Sequence, residues 1–374
     1  MATKILGHST GAIRLLSAND AGDARLWDSL VDSACTPDVY YRSGYARAYQ
    51  AIGHGEAAAV LVETRDVRAL FPVLLSPLNP LPFAVDDRGY DAATPYGYGG
   101  LLLLDGAVEI KPNQGCELLG VLRDWGLTNQ IISAHVRLHP VMRQEQWFAG
   151  ALGEDFHLHQ STPTVAINLD LWNAETASIA TLKKGRRSDL SFARRHLQLT
   201  WASDDRTLVQ DLQRFYALYE HRMTELEAGE YYHFPPEYYQ LLAEGLGPRL
   251  DVAIAWFNGK PVGAALIMTD EKLAHYHLSA TNDIGRAHKA TTLILNAAAE
   301  RARLHGCKYM HLGGGVRGED PLFAFKQSFG GEVCRYSFLA IICDPSSYGK
   351  LVERRVTAPD MPALRVNFFP AYRA

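Results

Sequence analysis

Residues Leu273–Gly331 read LAHYHLSATNDIGRAHKATTLILNAAAERARLHGCKYMHLGGGVRGEDPLFAFKQSFGG. Leu273–Ser279 has the composition of a strand, and Ala290–Leu304 the apolar, alanine-rich pattern of a helix closed by Gly306. Lys308–Leu312 is a second strand, followed by the loop Gly313-Gly314-Gly315. Between strand and helix lies a basic turn, Asp283–Thr291, in which Arg286, His288 and Lys289 carry the charge. A basic turn at a helix N-terminus can grip an anion through free backbone N–H groups and the helix dipole. A solvated helix cap fits the same spacing equally well. The stretch ends in Leu322–Gly331, where Leu322, Phe325 and Phe329 form an apolar helical stripe and Gly330-Gly331 stops the helix. Lys326 sits among these phenylalanines. An enclosed lysine would be partly desolvated, and its charge would act strongly on a nearby carbonyl oxygen. The pattern alone also suits a surface lysine that lays its stem on the rings.

Upstream of this stretch the same order recurs. Pro235–Leu246 reads as a helix, and Val252–Phe257 with Val262–Thr269 as a hairpin closed by Asn258-Gly259. In the first half, Ser43–Ala51 is a helix with a tyrosine stripe, and Ala57–Thr64 with Val67–Leu75 a hairpin around Arg65-Asp66. A strand at Leu101–Leu104, a helix at Gln114–Trp125 and a strand at Ile131–Leu138 follow. Helix, hairpin, strand, helix and strand therefore occur twice, which predicts two copies of one α/β unit. Between the copies, Ala180–Arg195 carries Lys183, Lys184, Arg186, Arg187, Arg194 and Arg195 on an expected helix. The cluster reads as a solvated amphipathic face or as a phosphate-contacting one.

The bulk properties agree with a chain of two ordinary domains. It has 374 residues, 47% hydrophobic and 21% charged, enough to bury real cores. A net charge of −4 and a pI near 6.4 exclude a molecule that binds nucleic acid by overall charge, though not a local basic patch. Apolar runs fall short of a membrane span and the N-terminus lacks a signal-peptide core, so a cytoplasmic location is expected. The five cysteines are scattered without a C-x-x-C pair, as suits buried thiols in a reducing compartment.

Three sharper motifs are set aside. Gly7-His8-Ser9-Thr10-Gly11 matches the G-x-S-x-G elbow, but that turn needs a central strand and several sheet strands before it. The H-x-H pairs His157/His159 and His275/His277 lack a third ligand nearby, so no metal site is expected, although His277 remains a candidate wall of a cleft. Neither a Walker A sequence nor a strand-to-helix G-x-G-x-x-G occurs.

At Tyr276–Asn282, Gly306–Gly315 and Leu322–Gly331 the chain resembles the Fem-type branch of the GNAT acyltransferase superfamily. The likeness extends to Phe215–Tyr219, Tyr232-His233-Phe234 and the closing Phe369-Pro370-Ala371-Tyr372-Arg373. It implies an α/β (α+β) fold of tandem GNAT-like domains, each a mixed, mostly antiparallel sheet flanked by helices. The expected domains are 1–160, completed by the tail 350–374, and 161–349, which carries the transfer site. It also implies attack by an acceptor amine on the ester carbonyl of an aminoacyl-tRNA, giving an amide. On that resemblance Lys326 faces the tRNA terminus and the forming tetrahedral intermediate, with Phe325 beside it. Arg186 and Arg187 fall near acceptor phosphates. Tyr219, Arg222, His277, Tyr98 and Arg42 are further candidates for substrate contact, and Arg286, His288 and Lys289 for the donor.

Two departures from the pattern matter. The long helical arm of cell-wall members is missing, so the acceptor is expected to be a small soluble amine. Ordinary GNAT enzymes hold the CoA pyrophosphate with an R-x-x-G-x-G/A turn, whereas this chain has Arg286-Ala287-His288-Lys289-Ala290-Thr291. Side chains in place of glycine obstruct close backbone approach to a pyrophosphate. The expectation is therefore no tightly bound cofactor, with the 3′ end of a charged tRNA as co-substrate and acyl-CoA as the alternative. A binding module without catalysis is the third reading.

Overall fold

A computed structural model describes residues 6–8, 11–149, 153, 155–202, 204–316, 318–359, 361–365 and 368–374. Ser9 and Thr10, the heart of the rejected elbow, lie outside them. The chain divides into two compact units, residues 1–161 with 335–374 and residues 162–334.

In the first unit, Gly11–Ser17 pairs antiparallel with Glu56–Thr64, and that strand with Arg68–Pro77. Arg68–Pro77 pairs antiparallel with Tyr90–Ala93, which then runs parallel to Ile131–Arg137. The helix Pro112–Thr128 makes the crossover and buries Leu118, Leu119, Leu122 and Trp125 against the sheet core. Two expectations change here. The third strand of this copy is Tyr90–Ala93, while Leu101–Leu104 supplies only Leu102–Leu103, a short partner of Arg68–Pro77. Residues 335–349, expected in the second domain, belong to the first, because Phe338–Ile342 pairs antiparallel with Ser133–Arg137.

The second unit repeats the order with its own chain. Gln198–Trp201, Leu250–Phe257, Lys260–Thr269 and Leu273–Thr281 form an antiparallel run. Asn258 and Gly259 close the hairpin with φ of 49° and 73°, the paired positive angles of a type I′ turn. Leu273–Thr281 is parallel to Tyr309–Gly314, which is antiparallel to Thr164–Asn168. The crossover helix Ala290–Leu304 buries Leu293, Ile294, Leu295, Ala298 and Ala299, and Gly306 ends it at φ 92°. Its buried Asn296 accepts from Ile179 N at 3.2 Å and donates to Ala177 O at 3.1 Å, pinning the segment before the basic helix. That helix, Lys184–His196, buries Leu190 and Ala193, exposes Arg187, Arg194 and Arg195, and leaves Arg186 half-buried. On the sheet's other side, Asp204 caps the helix Asp205–Glu225 through Thr207 N at 2.8 Å. None of the described helices is long and apolar enough to cross a membrane.

Candidate active site

The site of the second unit begins where two parallel strands part. Leu273–His275 pairs with Tyr309–His311, yet one strand continues to Thr281 and the other to Gly314 without further pairing between them. Burial follows the split: Leu273, Ala274 and His275 are buried, and Tyr276–Ser279 partly exposed. Alternation along the strand puts His277 on the face of the helix Pro236–Leu246, where its Nε2 lies 2.9 Å from the Tyr238 hydroxyl. Burial, with His275 nearby, pushes His277 down to about 3, so it is neutral at physiological pH.

Past this strand the basic turn is helical. Asn282 caps the short helix Asp283–Ala287 through Gly285 N at 2.9 Å. Gly285 is obligatory, since a Cβ there would lie 2.0 Å from Val262 O. Lys289 then takes the left-handed conformation at φ 63° and starts the helix Ala290–Leu304. The turn's amides are mostly spent within the chain. Arg286 N donates to Asn282 O at 2.9 Å, His288 N to Ile284 O at 2.9 Å and Lys289 N to Arg286 O at 3.2 Å.

A cleft of about 210 Å³ opens beside this turn, lined by Arg186, Gly285, Arg286, Lys289, Ala290, Thr291, Thr292 and Phe325. Four residues singled out in the sequence, Arg186, Arg286, Lys289 and Phe325, thus converge on one space. Arg186 is fixed by Asp189 at 2.8 Å, and its guanidinium lies 5.2 Å from the Phe325 ring centroid. Arg286 donates to Thr281 O at 2.8 Å and pairs with Asp283 and with Glu225, the latter at 3.4 Å. Lys289 is exposed and has no ion pair among the described residues.

Lys326 follows Phe325 on the helix Pro321–Gln327 but does not line this cleft. Its Nζ donates to Gly314 O at 2.7 Å, at the end of the strand that splays away. Burial pushes its pKa down to about 8, against the opposing pull of Asp320. Phe323 and Phe329 anchor this helix in the core, whereas Leu322, expected on the apolar stripe, is exposed. Gly330 ends the segment at φ 79°, against Thr181 O, where a Cβ would lie at 2.2 Å.

Other candidates stand apart from the cleft. Arg187 donates to Leu182 O, Arg222 pairs with Glu225 at 2.9 Å, and His288 packs against Phe257 at 4.2 Å between ring centroids. Tyr219, only 3% exposed, packs between Phe215 and Phe234 in the core. Arg42 and Tyr98 belong to the first unit. Arg42 is buried against Asp32 at 2.9 Å, and Tyr98 meets Tyr40 and Tyr336 edge-on. Sequence reasoning missed Glu225, Thr292 and Asp320, although Asp320-Pro321 is the ordinary N-cap and first-turn pair of a helix start.

Comparison with known proteins matches this geometry. An acetyltransferase (GNAT) domain family covers residues 179–327. FemX superposes with a TM-score of 0.64 at 14% identity, over 86% of this chain and 97% of its own. The fold is therefore similar to that of FemX, and the second unit carries the match to the GNAT acetyltransferase domain. Two further structures of similar fold are L-PGS from Bacillus licheniformis and a C-terminal domain from Agrobacterium fabrum. L-PGS has a TM-score of 0.53 at 11% identity, over 91% of this chain and 98% of its own. The Agrobacterium domain, from a protein assigned as a lysylphosphatidylglycerol synthetase, has a TM-score of 0.54 at 14% identity, over 90% of this chain and 96% of its own. No curated protein sequence matches the chain. In the second unit the splayed strands, Lys326 and all of the cleft lining except Arg186 lie within one chain stretch, Leu273–Gly331.

Proposed function

We propose that the chain is a cytoplasmic aminoacyltransferase that moves an aminoacyl group from the 3′ end of a charged tRNA to the amine of a small metabolite or cell-envelope precursor. The observation that carries this reading is the turn at the cleft. A pyrophosphate grip needs free amides at close range, and here those of Gly285, Arg286, His288 and Lys289 already bond within the chain. What faces the cleft instead is side-chain charge, Arg186 and Lys289, on the scale of separate phosphodiester contacts. The exposed cations Lys183, Lys184 and Arg195 extend that charge along the helix Lys184–His196 and just before it.

In this reaction the neutral amine attacks the ester carbonyl. A C–N bond forms, the C–O bond to the ribose breaks, the amine loses a proton and the ribose hydroxyl gains one. Lys326 keeps one N–H on Gly314 O and has two more to offer. It stabilises the developing oxyanion, and catalysis rests mainly on positioning and electrostatics. Replacing Lys326 by Met lowers kcat by roughly 10²–10³-fold, the scale for one lost oxyanion donor.

An acyl-CoA-dependent N-acyltransferase is the second reading. It is favoured by the start of the helix Ala290–Leu304, whose first residues, Ala290 and Thr291, line the cleft. One experiment separates the two. The protein is incubated with labelled aminoacyl-tRNA or acyl-CoA and a panel of amines, with and without ribonuclease. Transfer abolished by ribonuclease supports the tRNA reading, transfer from CoA alone overturns it, and binding without any transfer makes the chain a binding module.

A further inference from the structure

We infer that Asp320 is a positioning residue for Lys326, holding its ammonium on the Gly314 carbonyl and keeping it charged; this rests on the function proposed above for Lys326. Three observations converge on the Asp320 carboxylate. Oδ1 accepts from Phe323 N at 2.9 Å and so caps the helix that carries Lys326. Oδ2 accepts from Val316 N at 2.7 Å and so closes the loop that follows Gly314. One side chain thereby ties together the Lys326 helix and the strand end whose carbonyl Lys326 grips.

The third observation is steric. Gly315 leaves the space that the carboxylate fills, since a Cβ there would lie 2.2 Å from Asp320 Oδ1 and 2.4 Å from Gly318 O. The loop is thus built around a carboxylate lodged against bare backbone. A neutral cap such as serine would satisfy the helix N-terminus equally well, so capping alone does not require the charge. The charge acts on Lys326: burial drives its pKa down, and Asp320 is the charged group that opposes this among the described residues. Arg186, the other ion near this helix, lies across the Phe325 ring.

The test is direct titration of Lys326 in the full chain, followed by its pH-dependent reaction with an amine-acylating reagent and peptide mass spectrometry. The variants are Asp320→Asn and Asp320→Ser, both of which retain a capping oxygen. The wild-type midpoint is expected at about 8, and in either folded variant it moves down by about half a pH unit or more. A midpoint unchanged in a folded variant overturns the proposal, as does an equal shift in Glu319→Gln, which removes a neighbouring exposed charge and leaves the Asp320 hydrogen bonds in place. The readout needs no substrate. Loss of the transferase reading and loss of this positioning role are therefore separate results.

Discussion

If Lys326 works as an ammonium, its own ionisation sets the upper pH limit of the reaction. Burial places its pKa at about 8, against about 10.4 for a lysine in water. The charged-to-neutral ratio is then about 10 to 1 at pH 7 and about 1 to 10 at pH 9, so the oxyanion contribution falls roughly tenfold over that span. An unperturbed lysine would lose only a few per cent. The acceptor amine complicates the raw profile, because it becomes a better nucleophile as it deprotonates. The informative quantity is therefore the ratio of wild-type kcat to that of Lys326→Arg, whose guanidinium stays charged throughout. That ratio should fall about tenfold from pH 7 to pH 9 under single-turnover conditions with saturating donor, while Lys326→Met stays low and shows no limb near 8. A wild-type rate that climbs through pH 8 relative to the arginine variant would make Lys326 a general base. A flat ratio would remove its charge from the mechanism.

Further outcomes follow from the same geometry. Arg186→Ala should weaken donor binding and reduce the salt dependence of binding by about 0.7 in log–log slope, the increment for one single-strand phosphate contact; filter binding over a salt series measures it. Phe325→Leu removes the ring under Arg186, 5.2 Å away, and should raise KM about two- to fivefold with kcat less affected, as loss of a cation–π contact of about 0.5–1 kcal/mol would give. Gly315→Ala forces a methyl against Asp320 Oδ1, so activity should drop further than the melting temperature does, assayed by transfer rate beside thermal unfolding. His135 and His277 are both held down to about 3, chiefly by burial. Between that value and the unfolded value near 6.5 the unfolded chain binds more protons, so stability is complete above about pH 6.5 and declines as pH falls. His277→Gln should flatten the slope of unfolding free energy between pH 4 and 6 by about one proton.

The parts of the fold that the sequence displays are those held by neighbours along the chain. Asn258-Gly259 must turn tightly whatever surrounds it, and the hairpin of Leu250–Phe257 and Lys260–Thr269 follows. The helix Ala290–Leu304 announces itself by composition and its glycine stop. Tyr90–Ala93 was hidden because its identity as a strand depends on distant partners. Its buried Asp91 is satisfied by Ser133 at 2.8 Å and by Arg373 at 2.5 Å, far along the chain, and a four-residue run with a carboxylate looks locally like a turn. The domain boundary failed for the same reason, since Phe338–Ile342 finds its partner in Ser133–Arg137.

At the site, the division between what could and could not be read is also one of range. Phenylalanines on either side of Lys326 suit an enclosed ammonium and a surface lysine alike, because a helix fixes which side chains lie one turn away but not whether that face is covered. Seven residues are too few for periodicity to decide a face, so Leu322 was expected inward while Phe323 took the core position. Tyr219 is a substrate candidate through the family resemblance rather than through any local pattern, and in the fold it packs against Phe215 and Phe234. Arg186 meeting Phe325, and Asp320 bridging to Val316 across a glycine with no room for a side chain, are consequences of packing between segments. A lysine can therefore be nominated from sequence, but the groups that set its charge and its aim are visible only once the chain has folded around it.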